Sequence, residues 1–168
     1  IRDSSDTLQV VHSGMPLRSA VSIAKEDPYP PSRTDGNVSL LVIGGSQGAH
    51  IFSEVVPRGL RLLDDDLRSR MHVSQQCRPE DLERTSNLYR EIGIDAELKT
   101  VFEDAPKRLA NSHLLIGRSG ASTVAEALAI GRPAILGPYP HATDDHQTHN
   151  AHAVVEVGAG WLMPEESF

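Results

Sequence analysis

Apolar residues in this chain gather in short runs, and the stretches between them repeat at helical spacing. Runs rich in aliphatic and β-branched residues at 8–12, 38–43, 71–75, 96–102, 113–116, 134–136 and 161–163 predict strands. The clearest helix is predicted over 79–93. Pro79 suits its first turn, Leu82, Thr85, Tyr89 and Ile92 recur along one face, and Gly93 closes it. A second is predicted from 119 to 130, stopping at Gly131 ahead of Pro133. Short strands alternating with helices predict an α/β fold, a parallel sheet with helices on both faces and right-handed crossovers. There is no internal repeat. Residues 25–37, rich in proline and polar residues, read as a surface loop, so 1–168 is expected to form one domain.

In such a fold ligands bind beyond the carboxyl ends of the strands. Three loops belong there: "GGSQGA" at 44–49, "GRSGAST" at 117–123 and "GPYPHATDDHQ" at 137–147. The first two are rich in glycine and serine and open helices, so backbone N–H groups are exposed where an anion can approach; two such loops at one edge suit a diphosphate. The spacing is not that of a P-loop, which needs Gly-Lys-Ser or Gly-Lys-Thr after four spacers. It is not a dinucleotide fingerprint either, since Asp64, Asp65 and Asp66 sit at a helix end rather than at the end of the next strand.

Side chains near these loops have two readings each. Glu126, three residues after Thr123, fits a capping box, or it accepts hydrogen bonds from two vicinal ribose hydroxyls. Arg18, after the first predicted strand, is either a surface charge or a guanidinium fork for the same diphosphate. His141, His146, His149 and His152 lie near Asp144 and Asp145, but three-residue steps do not stack metal ligands on one helix face, so no metal site is expected. The aspartates are expected to cap a helix, while His146, Gln147 and Asn150 offer polar groups to a sugar.

Composition narrows the partners. A net charge of −7 disfavours a nucleic-acid grip or a polybasic membrane patch. Cys77, the single cysteine, excludes an internal disulfide and suits a reducing cytoplasm. No apolar run approaches the roughly 20 residues of a membrane span. The chain opens "IRDSSDTLQVV" and stops at "WLMPEESF", which reads as a domain cut from a longer protein.

Together "SGMPLR", "LLVIGGSQGA", "GRSGASTVAE" and "PHATDDHQTHNA" resemble, in order and spacing, the C-terminal half of the MurG family of two-domain GT-B glycosyltransferases. The resemblance covers the chain from about residue 10 onward. It implies a Rossmann-like half-fold that binds UDP-N-acetylglucosamine, the donor for converting lipid I to lipid II in peptidoglycan synthesis, with inversion and without metal or cofactor. It implies that Arg18 and the loop at Gly45, Ser46 and Gln47 meet the diphosphate, with the choice between Ser46 and Gln47 open. Glu126 would hold the ribose and Phe102 would mark the uracil-reading backbone. Ser119, Gly120, Ala121, His146, Gln147 and Asn150 would face the sugar. Met15 and Val101 depart from the family pattern, which carries Asn and frequently an aromatic at those places. The family's acceptor site, membrane-facing patch and candidate general base belong to an N-terminal domain. This chain alone is therefore expected to be inactive, and the whole enzyme to sit on the cytoplasmic face of the bacterial inner membrane. Another GT-B transferase, a UDP-N-acetylglucosamine epimerase or a non-catalytic nucleotide-sugar module are the alternatives.

Overall fold

The computed structural model describes residues 14–31, 36–45 and 48–168. The strand expected at 8–12, and Ser46 and Gln47, lie outside the described residues.

Six strands form one parallel sheet: β1 (Val38–Ile43), β2 (Met71–Gln76), β3 (Asp95–Lys99), β4 (Leu114–Gly117), β5 (Ala134–Leu136) and β6 (Gly160–Leu162), in the order β3-β2-β1-β4-β5-β6. This is the doubly wound arrangement of a Rossmann-like fold. Alternation along β1 explains why helices cover both faces. Leu41 packs with Val21, Leu109, Leu115, Ala127 and Val154, while Leu40 and Val42 pack with Phe52, Val56, Val73 and Tyr89. The first face carries α1 (Ser19–Ala24), α5 (Ala105–Ala110), α6 (Ala121–Ile130) and α7 (His146–Glu156). The second carries α2 (His50–Leu60) and α4 (Leu82–Glu91), and the short α3 (Asp65–Ser69) leads into β2.

Local chemistry sets the element ends. Pro79 opens a 3₁₀ turn, Pro79–Asp81, that runs into α4, and Gly131 closes α6 in the left-handed region at φ 73°. Pro57 lies inside α2 and cannot bond the carbonyl of Ser53; the Thr85 hydroxyl donates to that carbonyl at 3.5 Å. Tyr89 fixes α4 to β2 by donating to Gln75 Oε1 at 2.5 Å, and burial pushes its phenol pKa up.

The strand expected over 96–102 is shorter, ending at Lys99. Its carbonyl accepts from Cys77 N–H at 2.9 Å and the Thr100 carbonyl accepts from Gln76 Nε2 at 3.1 Å, after which the chain turns inward at Phe102. Within 25–37, the segment at Asp27–Pro28 is tied to the body by Arg132, and the Tyr29 hydroxyl donates to the His113 carbonyl at 2.8 Å. For function the decisive feature is the β1–β4 pair. Ile43 lies opposite Gly117, and from there the chain leaves to opposite sides, opening a crevice between the two glycine loops.

Candidate functional site

Two adjoining cavities fill this crevice. One, of 490 Å³, lies between Arg18, the ends of β1 and β2, Phe102 and the Glu126 side of α6. The other, of 710 Å³, lies between Gly44, Gly48–Ile51, Arg78, Arg118 and Gly120–Thr123, with Tyr139, Gln147 and Glu165 on its far wall. Gly45, Ser122 and Thr123 border both, so an elongated ligand can pass from one to the other across the first turn of α6.

The larger cavity is bordered by two uncapped helix starts. Ala49 and Gly120 hold the N-cap positions of α2 and α6, and neither has a side chain able to cap. Neither helix carries an acidic residue in its first turn. The positive ends of two helix dipoles therefore open on one space.

The smaller cavity holds an ion pair that sequence spacing does not reveal. Arg18 donates from Nε to Glu126 Oε1 and from Nη2 to Glu126 Oε2, both at 3.0 Å; the Arg18 side chain is exposed and the carboxylate largely covered. This replaces the capping box. The helix begins at Ala121, so Thr123 lies inside it, and Glu126 faces Arg18 rather than a backbone N–H. Phe102 lines the same cavity with its ring under the Arg108 guanidinium, 4.3 Å from the ring centre.

The remaining predicted side chains are only partly brought together. Gln147 lines the larger cavity while its Oε1 accepts from Tyr139 N–H at 3.0 Å, leaving its Nε2 available. Asn150 donates to the Ser119 carbonyl at 3.0 Å and so props the loop that carries Gly120 and Ala121. Ser119 itself is buried, with its hydroxyl unpartnered. His146 lines neither cavity, and its Nδ1 bonds the Thr143 carbonyl at 2.7 Å. The expected aspartate cap is absent. Asp145, at φ 51°, accepts from the Thr148 hydroxyl at 2.6 Å and not from a backbone N–H. Among the described residues no group of three or more His, Cys, Asp or Glu side chains is arranged to hold a metal ion, and no helix is long and apolar enough to cross a membrane.

Residues 39–168 match the model of the glycosyltransferase family 28 C-terminal domain. The chain belongs to that family. It is 53% identical over 160 residues to a UDP-N-acetylglucosamine--N-acetylmuramyl-(pentapeptide) pyrophosphoryl-undecaprenol N-acetylglucosamine transferase of Paramagnetospirillum magneticum, covering 95% of this chain and 43% of the relative. The enzyme of the same name from Rhodospirillum centenum is 49% identical over 166 residues, 99% of this chain and 44% of the relative. In structure the domain is similar to Acinetobacter baumannii MurG, with a TM-score of 0.73 and 30% identity over 83% of this chain and 41% of that one. The chain thus spans less than half the length of the relatives it matches.

The family 28 domain here also has functional candidates that the motifs alone do not mark. Arg118 is buried between the rings of Phe52 and Tyr139, donates to the Gly137 and Pro138 carbonyls at 3.1 and 2.9 Å, and pairs with Glu165 at 2.6 Å. It thereby joins the far wall of the larger cavity to the end of β4. Arg78 follows β2 on the same carboxyl edge, with its stem against Gly48. His50 begins α2, and its Nδ1 meets both oxygens of Asp81, at 2.8 and 2.9 Å.

The support under Phe102 gives a pH prediction. Arg108, and then Lys99, hold the Glu97 carboxyl down to about 2. A lowered value means the folded state is favoured above the unfolded Glu value of about 4.3 and loses that advantage as pH falls towards about 2. The urea midpoint is therefore expected to drop between about pH 5 and about pH 2.5, less steeply in Glu97→Gln. The contribution is modest because these groups are partly exposed, and it shrinks in high salt. An identical slope in wild type and variant would remove Glu97 from the account.

Proposed function

We propose that this chain is the donor-binding half of an inverting N-acetylglucosamine transferase that uses UDP-N-acetylglucosamine and acts on the lipid-linked muramyl-pentapeptide diphosphate. The observation that carries this reading is the meeting of two glycine loops, each opening a helix, beside a carboxylate fixed by Arg18. An ionised carboxylate offers about four lone-pair directions. Arg18 takes one on each oxygen, which leaves one on each for the vicinal hydroxyls of a ribose. The uridine then occupies the smaller cavity and the diphosphate crosses at Gly45 and Thr123, with the sugar beside Gln147.

In the transfer an acceptor hydroxyl attacks the anomeric carbon, the bond from that carbon to the diphosphate oxygen breaks, and the acceptor proton passes to a base outside this chain. Negative charge grows on the leaving diphosphate. The open N-termini of α2 and α6 face that charge and stabilise it more than the ground state, which is what lowers a barrier. The chemistry asks for no metal or cofactor. Acceptor binding and contact with the cytoplasmic face of the membrane belong, in this proposal, to parts of the protein beyond this chain.

Amide NMR tests the reading. UDP and UDP-N-acetylglucosamine should shift the amides of Gly44, Gly45 and Gly120, while NAD leaves them in place; shifts with NAD alone would overturn it. Glu126→Gln should weaken UDP binding by about 1–3 kcal/mol, with little change in stability because its Arg18 partner is exposed. Unchanged UDP affinity in that variant would remove Glu126 from the ribose.

A further inference from the structure

The larger cavity is bordered by a histidine that the donor reading does not use. His50 is the first residue of α2, directly after the glycine loop, and half of its side chain is exposed. Its other half is fixed. Asp81, in the 3₁₀ turn before α4, is 3% exposed and places both carboxylate oxygens on His50 Nδ1. A carboxylate only accepts hydrogen bonds, so Nδ1 carries its proton in either charge state of the ring. Nε2 is then the nitrogen that changes. In the neutral ring it presents a lone pair, which repels a phosphate oxygen; in the imidazolium it presents an N–H, which binds one.

Resting on the donor reading above, we infer that His50, oriented by Asp81, is a protonation-dependent contact for the diphosphate of the nucleotide sugar, so that donor binding takes up a proton. The surroundings suit this. Near the ring stand Asp81 and, on α2, Glu54, and also Arg84, which bonds Glu54 and lies 3.5 Å from Asp81; Arg58 acts on Glu54 from further along the same helix. Across the cavity are Arg78 and the Arg118–Glu165 pair. Asp81 faces Nδ1, so the imidazolium charge is balanced on its buried side while its Nε2–H remains for the ligand. Asp81 is thus a positioning residue, acting only through His50. Because the charged ring binds and the neutral ring repels, affinity is greatest where the ring is protonated and falls as pH rises.

The test is calorimetric titration of the protein with UDP-N-acetylglucosamine at about pH 6 and about pH 8, in buffers of different ionisation heat. This donor is preferable to UDP because its diphosphate, a diester, has no proton that titrates in this range. Wild type should bind roughly fivefold more weakly at the higher pH and take up a fraction of a proton, up to one. His50→Gln should lose about tenfold at the lower pH and most of the pH dependence. His50→Arg should regain affinity while remaining independent of pH. Uridine, which has no phosphate, should bind the three proteins alike. If wild type binds the donor with no proton uptake, or His50→Gln keeps the wild-type pH profile, this inference falls and the donor reading stands. If wild type fails to bind the donor, both fall.

Discussion

Gly44→Ala is expected to cripple donor binding, lowering affinity for UDP-N-acetylglucosamine on the order of 100-fold, about 2.8 kcal/mol of lost contacts. A Cβ at this position would lie 2.1 Å from Ala49 N, 2.6 Å from Gly48 C and 2.9 Å from Gly48 Cα. All three are backbone atoms of the same turn, so no rotamer change relieves the contact. The turn must open, which moves the N-terminus of α2 and its free N–H groups away from the loop at Gly120. Overpacking of this kind also costs about 1–3 kcal/mol of stability, and the binding loss has to be read at a temperature where the variant is folded. Gly59→Ala is the control. That glycine, also in α2, has open space around its Cβ direction, so alanine should stabilise by about 0.5–1 kcal/mol with donor affinity unchanged. A Gly44→Ala protein that binds like wild type would mean the turn is not the phosphate seat.

That contrast bears on what the sequence can tell. Strands β1, β4 and β5 are legible as short runs dominated by apolar residues and β2 by the apolar–polar alternation of "MHVSQ", and the alternation of strands and helices gives the sheet. The end of β3 was not, because "TVF", all residues common in strands, follows directly on "ELK"; the stop comes with bonds to Cys77 and Gln76 on the neighbouring segment. The site divides in the same way. Glycine loops are local signals. The Arg18–Glu126 pair spans 108 residues and His50–Asp81 spans 31, and neither contact follows from local spacing. Glu126 in particular sits at capping-box distance from Thr123, a local pattern that long-range pairing overrides. Arg78 was within reach. It follows a parallel strand, so the rule that places the glycine loops at the carboxyl edge places it there too.

The largest loss of stability is expected from a residue at the opposite edge of the sheet. Arg132 is 4% exposed, and the partners of its guanidinium are backbone carbonyls: Ala110 from Nε at 3.0 Å and Nη2 at 2.6 Å, Ile130 at 2.9 Å, Gly131 at 3.3 Å and Pro28 at 3.1 Å. Ala110 and Ile130 are the last residues of α5 and α6, so the negative ends of two helix dipoles converge on one buried cation. Burial lowers the guanidinium pKa, yet the carbonyls stand in for lost water well enough to keep the charge. Arg132→Met keeps the stem and leaves those carbonyls without a donor. The expected cost is about 3 kcal/mol, a fall in Tm of roughly 6–12 °C for a domain of this size. Arg132→Lys, a cation without the planar fork, should fall between the two. Thermal unfolding followed by circular dichroism measures both, and a fall in Tm below about 2 °C would show that water re-satisfies the carbonyls. Because this cluster is remote from the crevice, donor affinity of Arg132→Met measured well below its Tm should match wild type. Stability and the proposed donor binding are thereby separable at opposite edges of one sheet: Arg132 holds the helix ends, and the glycine loops are the proposed seat of the donor.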